Sequence, residues 1–313
     1  MTLRTGIIGT GFWASETHAP VVDAHPDLEF TGAWGRDHAK AESLVADYGA
    51  RAFADLDALL DAVDAVVLTV PPTVQPELAV RAARAGVHLL LEKPLALSLD
   101  AAREIRDEVA AHDVAALVFF TSRHRPEQRA WMAAARHRGG WHSGHASWLA
   151  TTYAPDAPRD MNDWRRAKGA LWDVGPHALS VVLGVLGPVR EVAAGRGLGD
   201  TVHLAMRHEA GPDGIAPSST VTVSLTAPLQ QSLFTAVGAA GHLAMPTPLS
   251  TPRTAAATAL TDLARMAETG ERTHEADLRL GVEVVEVLTM AERALEQGRV
   301  VTYDEVRGTA PSS

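Results

Sequence analysis

The chain contains no cysteine, three lysines and three tyrosines. Without cysteine it forms no disulfide, no thiolate nucleophile and no zinc site with thiolate ligands. No apolar run reaches the ~18 residues that a membrane-spanning helix requires. The opening MTLRTGIIG has no basic region followed by an apolar signal core. We therefore expect a cytoplasmic protein that uses neither cysteine chemistry nor a membrane.

Basic residues are outnumbered by acidic ones, 28 lysines and arginines against 38 aspartates and glutamates. The formal net charge is −10 and the sequence pI is about 5.8, which disfavours a nucleic-acid or anionic-membrane surface. A composition of 46% hydrophobic and 21% charged residues is typical of a folded globular protein. A length of 313 residues exceeds what one hydrophobic core usually holds. These values predict two domains and a small-molecule partner.

Residues 1–120 alternate short apolar runs with amphipathic, alanine-rich segments. Such alternation predicts an α/β domain with a doubly wound parallel sheet, because parallel strands need crossover helices on both faces. The predicted strands are LRTGIIG, LEFTGAWG, AVVLTV, VHLLLE and AALVFF.

Residues 121–313 have a different pattern and predict an α+β domain with an open-faced, mainly antiparallel sheet. Five segments between 190 and 246 alternate apolar and polar residues and are joined by short turns. The turn at 211–219 is predicted to be a hairpin tip. A loop is predicted at 154–169. Two long helical patterns end the domain, and its C-terminal tail can pack back on the first domain. An open sheet leaves an apolar face, so we expect a homodimer or homotetramer packed through it.

The stretch GIIGTGFWA has the GxGxxA spacing at the predicted junction of the first strand and first helix. Gly9 permits a tight turn, Gly11 lets a pyrophosphate approach the backbone, and Ala14 allows close helix packing. The alternative is a glycine-rich turn without a ligand. Its position in a βαβ series favours a dinucleotide site, which also includes the intervening residues Thr10, Phe12 and Trp13.

The end of the second strand bears on the choice of nicotinamide cofactor. An acidic residue there usually accepts a hydrogen bond from the ribose of NAD, whereas a 2′-phosphate requires cations. This chain has Gly35 at the strand end, then Arg36, with Lys40 in the next helix. We predict NADP(H) as the preferred cofactor. NAD(H) is the alternative, because the carboxylate of Asp37 is close. The competing interpretation of Arg36 and Lys40 is that both are solvated surface charges that bind no cofactor.

Two further strand ends reach the same carboxyl edge of the sheet. At Val70, Pro71 and Pro72 the prolines can pack against the nicotinamide or can simply end the strand. The next strand ends in Glu92 and Lys93. A lysine ammonium at that edge can hydrogen-bond a substrate oxygen and exchange a proton with it, whereas an arginine does not lose its proton near neutral pH.

Three motifs in order, GxGxxA, AGxHxxxEKPLA and GALWDVGPHAL, resemble the glucose-fructose oxidoreductase and inositol dehydrogenase family (Gfo/Idh/MocA) over nearly the whole chain. The resemblance implies NAD(P)-dependent transfer of hydride between nicotinamide and a secondary alcohol or ketone of a sugar, cyclitol or related polyol. It also implies that Lys93 and His177 contact the reacting hydroxyl or carbonyl and that Asp173 assists.

The residues of GALWDVGPHAL agree with that implication. Pro176 fits only the first turn of a helix, so His177 lies near a helix N-terminus, where the positive end of the dipole favours a neutral imidazole that can accept a proton. Asp173 precedes it by one turn and can orient it. The alternative is that Asp173 caps the helix and His177 bonds to the backbone.

Four more residues are candidates for substrate binding: Trp164, Arg165, Lys168 and Arg123. A solvated turn and a surface ion pair are the alternatives. A metal is not predicted, because His142 and His145 point to opposite faces of their strand.

The chain departs from the family pattern at Gln75, where many members have histidine, and at Ser180, where many have aspartate. Gln75 stands where a side chain can contact nicotinamide, so these changes leave the substrate open. Two alternatives remain: a non-catalytic NADP-binding regulatory protein of the same fold, and a reductase of apolar carbonyls or dihydrodiols. The second is suggested by four tryptophans, at positions 141, 148, 164 and 172.

Overall fold

The computed structural model describes residues 2–154, 161–211, 214–239 and 241–308. It forms two compact units. The first combines Met1–Pro126 with Ser250–Val282, and the second combines Glu127–Leu249 with Glu283–Ser313. A single division at residue 120 does not describe this arrangement, because the chain returns to the first unit near its C-terminal end.

The first unit is built on a six-stranded parallel sheet. Its strand order is β3-β2-β1-β4-β5-β6, which is the order of a dinucleotide-binding doubly wound fold. The prediction of this fold class is confirmed, although the short third strand was not predicted. The strands are β1 (Leu3–Ile8), β2 (Leu28–Trp34), β3 (Arg51–Phe53), β4 (Ala65–Leu68), β5 (His88–Leu91) and β6 (Ala116–Val118).

Helices connect these strands, and several begin at a side-chain cap. The carboxylates of Asp37 and Asp55 and the hydroxyl of Ser98 each accept a backbone N–H three residues on, which satisfies a donor that the helix itself leaves unpaired. A π-helix at Ala14–His18 precedes the first α-helix. The helices are α1 (Ala19–Ala24), α2 (His38–Val45), α3 (Leu56–Leu60), α4 (Gln75–Arg84), α5 (Leu99–Ala111) and α6 (Thr121–His124).

The returning segment completes this unit. Its helix, Pro252–Thr269, buries an alanine-rich face in the same core as β1 and β2. The backbone N–H of Val118 then donates to the carbonyl of Ala276 across 2.9 Å, so the segment covers the edge strand β6. An exposed edge would otherwise offer unpaired backbone groups. The segment therefore belongs to the first unit for a physical reason that its own helical pattern does not reveal.

The second unit contains a seven-stranded sheet in the order β12-β11-β7-β10-β9-β8-β13. Its pairs are antiparallel except β7 with β10, which are far apart in sequence. The predicted mainly antiparallel sheet is confirmed. Its strands are β7 (Trp141–Leu149), β8 (Val189–Arg196), β9 (Val202–His208), β10 (Ser218–Ser224), β11 (Gln231–Gly238), β12 (Gly241–Ala244) and β13 (Val301–Thr302).

The helices of the remaining chain include one that the sequence analysis missed. Residues 163–168 of the predicted loop are helical, because the Asn162 side chain caps the helix by accepting from the N–H of Arg165 at 3.3 Å. The hairpin tip and the start of that loop lie partly outside the described residues. The helices are α7 (Pro126–Arg138), α8 (Asp163–Asp173), α9 (Gly175–Leu186), α10 (Pro252–Thr269), α11 (Leu278–Gln297) and α12 (Tyr303–Arg307).

The stretch Asp163–Leu186 is long and apolar enough, by composition, to cross a membrane. It consists of α8 and α9, and 83% of its most apolar window is buried inside the fold. α9 packs against β7, β10 and β11 of its own unit. This burial is that of a core helix.

The opposite face of the second sheet is more polar than predicted. Exposed His145 and His203 hydrogen-bond the hydroxyls of Thr220 and Thr222 at 2.9 and 3.0 Å. Threonine has the β-branched shape that suits a strand while presenting a hydroxyl to its surface. The face therefore carries hydroxyls and imidazoles where a continuous apolar surface was expected.

Candidate functional site

The glycine turn follows β1, and its two glycines have different physical reasons. Gly9 has φ +114°, and a Cβ there would lie 2.7 Å from the carbonyl oxygen of Thr69. Gly11 has neither constraint: a Cβ there would meet no protein atom within 4 Å. Of these two glycines, the fold itself requires only Gly9. The space beside Gly11 is open, and in turns with this glycine spacing a pyrophosphate approaches the backbone at that position.

The rest of the turn fits the same ligand. Ala14 is fully buried where the helix meets the sheet. Phe12 and Trp13 are 56% and 43% exposed and meet edge to face with ring centroids 5.7 Å apart. Adjacent exposed aromatic rings form an apolar patch of the kind that can contact a ligand. The predicted cofactor turn therefore has backbone space and flanking aromatic surface for a dinucleotide.

The end of β2 adjoins this turn. A Cβ on Gly35 would lie 2.7 Å from Cγ2 of Thr10, so the two segments are in close contact. Arg36 and Lys40 are exposed. Asp37 caps α2 by accepting from the N–H of Lys40, whose ammonium lies 3.8 Å from the same carboxylate. The carboxylate nearest the predicted ribose position is thus already engaged in holding the helix.

The double-proline segment turns the chain from β4 into α4. The Pro71 carbonyl accepts from the N–H groups of Val74 and Gln75 at 3.0 and 3.1 Å. Pro71 is exposed and Pro72 is buried, with Val70 half-buried before them. Both interpretations of the segment agree with this geometry, since it ends the strand and also presents Pro71 at the carboxyl edge of the sheet.

The Glu92–Leu95 segment, which contains Lys93, follows β5 at the same edge. Lys93 is half-buried and its peptide bond to Pro94 is cis. Gln75 is fully buried and donates from Nε2 to the carbonyls of Glu92, Pro94 and Leu95. The amide nitrogen that was expected to reach a nicotinamide therefore donates its hydrogen bonds to the backbone of this segment.

His18 is a residue of the site that the sequence analysis missed. Its Nε2 lies 3.1 Å from Oε1 of Glu92, and the ring is fully buried and packs edge to face on Phe119. A lone histidine on a helix carries no motif. Its partner is 74 residues away in sequence, so only the folded chain identifies the pair.

In the second unit, Asp173 pairs with a predicted substrate residue. Arg165 Nε donates to Asp173 Oδ2 across 2.6 Å, and the two side chains are 23% and 9% exposed. The Arg165 guanidinium also lies over the ring of Trp164 at 4.5 Å. Such a charge-assisted bond fixes the carboxylate in position.

His177 lies in the first turn of α9, as predicted, and is half-buried. Its carbonyl accepts from the hydroxyl of Ser180 at 2.8 Å, and Ser180 is fully buried. At the position where many relatives carry an acid, this chain thus uses a hydroxyl to stabilise the turn that carries the histidine.

Other substrate candidates have structural partners. Lys168 Nζ lies 2.8 Å from Oε1 of Glu292 and 4.9 Å from the ring of Trp172. Arg123 is 5% exposed, so the alternative of a surface ion pair does not hold. Trp172, like Trp141 and Trp148, is buried in the core, whereas Trp164 is half-exposed. Three of the four tryptophans that suggested an apolar pocket are therefore packing residues.

Within the described ranges there is no group of three or more histidine, aspartate or glutamate side chains arranged to hold a metal ion. His145, one of the two histidines considered as ligands, is instead bound to Thr220.

Residues 3–120 match the family model described as "Oxidoreductase family, NAD-binding Rossmann fold", that of Gfo/Idh/MocA. The chain is 31% identical over 121 residues to glucose-6-phosphate 3-dehydrogenase of Bacillus subtilis, covering 39% of this chain and 34% of that protein. It is 29% identical over 192 residues to dTDP-3,4-didehydro-2,6-dideoxy-alpha-D-glucose 3-reductase of Streptomyces antibioticus, covering 59% and 57%. The matches thus span about a third to somewhat over half of these curated relatives.

The fold extends further than the sequence match. A putative myo-inositol dehydrogenase from Sinorhizobium meliloti superposes with a TM-score of 0.83 over 96% of this chain and 100% of that one, at 20% identity. At this identity the likeness establishes the fold of both units and leaves the chemistry to the residues.

Proposed function

We propose that this protein is an NAD(P)-dependent oxidoreductase acting on a secondary alcohol or ketone of a sugar or cyclitol, because residues 3–120 match the Gfo/Idh/MocA oxidoreductase family model. One observation carries the proposal. The glycine turn, the double-proline turn and Lys93 follow β1, β4 and β5, which are adjacent parallel strands. Between β1 and β4 the strand order reverses, and doubly wound folds bind ligands at that switch point.

The cofactor would be held by the turn from Gly9 to Ala14, by Gly35 and its neighbours, and by the segments at Pro71 and Glu92. When bound, nicotinamide supplies or accepts the hydride. The chain's own residues then bind, orient and move protons. Lys93 exchanges a proton with the reacting oxygen, His177 acts as a second proton donor or acceptor, and Asp173 supports it.

The substrate class can be narrowed by the two curated relatives, whose names both describe chemistry at position 3 of a hexose. We propose oxidation of a 3-hydroxyl, or reduction of a 3-ketone, on a pyranose or a cyclitol ring. An apolar substrate has less support, because Trp141, Trp148 and Trp172 are buried in the core. A regulatory protein without catalysis would have no use for a lysine and a histidine in these positions, so we favour the enzyme.

NADP(H) is the proposed cofactor. Support comes from the glycine at position 35, where NAD enzymes usually carry an acid, and from exposed Arg36 and Lys40 next to it. Asp37 argues less for NAD than its position suggests, because its carboxylate caps α2.

Assembly through the open sheet face is also proposed. Two copies would meet across strands rich in threonine, serine and histidine, so we expect a hydrogen-bonded, hydrated interface that does not depend on apolar burial alone. Light scattering would measure the molar mass of the assembly, and a monomer at assay concentration would contradict the proposed homodimer or homotetramer.

We also propose that the protein is cytoplasmic.

The function is tested by incubating the protein with NADP⁺ or NAD⁺ and a panel of hexoses, hexose phosphates and inositols, and by following formation of the reduced cofactor. The matched control is the 3-deoxy form of each active sugar. We expect turnover of at least one sugar or cyclitol and none of its 3-deoxy form. Turnover restricted to apolar alcohols would contradict the substrate class, and tight cofactor binding with no turnover of any compound would favour the regulatory alternative.

A further inference from the structure

Gln75 holds the segment that carries Lys93 through one side-chain nitrogen. Nε2 donates to the carbonyl oxygens of Glu92 at 2.8 Å, Pro94 at 3.1 Å and Leu95 at 3.1 Å. An amide nitrogen has two hydrogens, so one of them is shared between two carbonyls. All three bonds are short enough to be genuine. The side chain of Lys93 therefore projects from a backbone that is fastened on both sides of it.

The orientation of this amide is unambiguous. Within the described part of the chain Oε1 of Gln75 has no hydrogen-bond partner, although it is buried. Rotating the amide by half a turn would bring that oxygen against three carbonyl oxygens, which repel it. An unpaired buried acceptor is a cost that the fold sustains in order to direct the nitrogen at the segment.

His18 holds the same segment from another element. Its Nε2 lies 3.1 Å from Oε1 of Glu92, and its side chain is fully buried at the end of the π-helix that follows the cofactor turn. The other ring nitrogen has no partner in the described residues. The tautomer with its proton on Nε2 donates to the carboxylate and leaves only an acceptor unpaired. His18 therefore fixes the side chain of Glu92 while Gln75 fixes its backbone.

We propose that Gln75 and His18 are positioning residues for Lys93, holding Glu92–Leu95 so that the ammonium stands at one fixed place on the carboxyl edge of the sheet. This inference rests on the proposed function for its catalytic consequence but not for its structural content. Proton transfer depends on placement within a fraction of an ångström, and a shift of about 1 Å can cost ~100-fold in rate. Neither residue needs to touch substrate.

The chain has three lysines, Lys40, Lys93 and Lys168, which makes the position of Lys93 directly observable. Reductive methylation with ¹³C-formaldehyde labels these amines and the α-amino group, and the Lys93→Arg variant assigns the Lys93 signal. We expect Gln75→Met to move or broaden the Lys93 signal while those of Lys40 and Lys168 stay in place. His18→Phe, which keeps a ring against Phe119 but removes the bond to Glu92, should do the same.

Gln128 provides the matched control. It is 1% exposed, lies in the second unit and donates from Nε2 to one carbonyl, that of Pro246, at 3.1 Å. Gln128→Met therefore removes a buried glutamine bond elsewhere and should leave the Lys93 signal unchanged.

The kinetic arm uses the same variants. Gln75→Met and His18→Phe should lower kcat by roughly 10- to 100-fold, and this loss should exceed any weakening of dinucleotide binding, because the glycine turn that holds the pyrophosphate is not altered. The idea is wrong if folded Gln75→Met moves the Lys93 signal no more than Gln128→Met does. If Gln75→Met does not fold, the same comparison on His18→Phe decides. Since the signal is read without substrate, it tests the positioning even if the proposed reaction is never observed.

Discussion

Arg165 and Asp173 form a charge-assisted hydrogen bond of 2.6 Å between the two ends of α8. The bond spans a helix whose φ/ψ pattern breaks at Gly169, where φ is +61°. A carboxylate that is 9% exposed needs such a partner, because an uncompensated buried charge is costly. Arg165, interpreted from sequence as a substrate contact, is thus also the residue that orients Asp173.

This pair predicts a measurable coupling. Arg165→Met and Asp173→Asn should each lower the free energy of unfolding, and their double-mutant cycle should give a coupling of about 1–3 kcal/mol. Arg166→Met is the matched control, since Arg166 is exposed and its guanidinium donates to the Met161 carbonyl. Additive effects of the two changes, measured by urea denaturation, would show that the bond contributes nothing.

The two glycines of the cofactor turn should behave differently when replaced by alanine. Gly11→Ala meets no protein atom, so the melting temperature should stay within about 1 °C while dinucleotide affinity falls by roughly tenfold or more, because only a bound pyrophosphate needs that space. Gly9→Ala has a positive φ and a clash with Thr69, so it should lose about 2 kcal/mol or more of stability as well. Calorimetry measures the melting temperature of both variants, and fluorescence titration measures their dinucleotide affinity. Unchanged affinity in Gly11→Ala would contradict binding of the pyrophosphate at this turn.

Arg36→Ala should separate the two nicotinamide cofactors. Removing a guanidinium that meets a 2′-phosphate should weaken NADPH binding by about 1–2 kcal/mol, or roughly 5- to 30-fold, and leave NADH binding unchanged. Arg106→Ala, which removes a half-exposed arginine paired with Asp107, controls for net charge. Equal weakening of both cofactors, or tighter NADH binding by the unaltered protein, would contradict the proposed preference.

Stability should depend on pH through His208. Burial lowers the pKa of this imidazole below its ordinary 6.5, against the smaller opposing effect of its bond to the Gly187 carbonyl. The unfolded chain therefore binds a proton at a higher pH than the folded one does. The contribution is complete above about pH 6.5 and is lost as the pH falls toward the lowered folded value, with a limiting slope of about 1.4 kcal/mol per pH unit.

His208→Gln tests this contribution, since glutamine can donate to Gly187 and accept from Ser219 without titrating. Between about pH 7 and pH 5, which is roughly the range of an ordinary imidazole titration, its free energy of unfolding should fall less than that of the unaltered protein. His142→Gln, at an exposed position of β7, should follow the unaltered protein. Parallel pH profiles for all three proteins would contradict the assignment.

The sequence was sufficient where the position of a residue on its element depends on a local pattern. GxGxxA at a strand end, the lysine after Glu92 and the histidine after Pro176 all lie on the predicted elements, because period and turn chemistry are encoded within a few residues. The three-residue strand β3 was missed because its one fully buried side chain is Phe53, which leaves no alternation to detect. The start of α8 had a signal in Asn162, whose cap lies within a segment rich in proline and aspartate.

Long-range partners could not be predicted in the same way. The bond from His18 to Glu92 and the three bonds from Gln75 join residues between 17 and 74 positions apart. Likewise, the alanine face of α10 indicates a helix but not the core that it joins. These contacts depend on how the elements pack together, so they can be identified only in the folded chain.

Lys93→Met tests the central claim most directly. Methionine keeps the length of the side chain and removes the ammonium, so kcat/KM on an active sugar or cyclitol should fall by ~100- to 10,000-fold, as expected for loss of a general acid or base. The dinucleotide Kd should stay within about threefold, and Lys93→Arg should not restore turnover because arginine keeps its proton. A Lys93→Met protein that turns over substrate at nearly the unaltered rate would contradict the account.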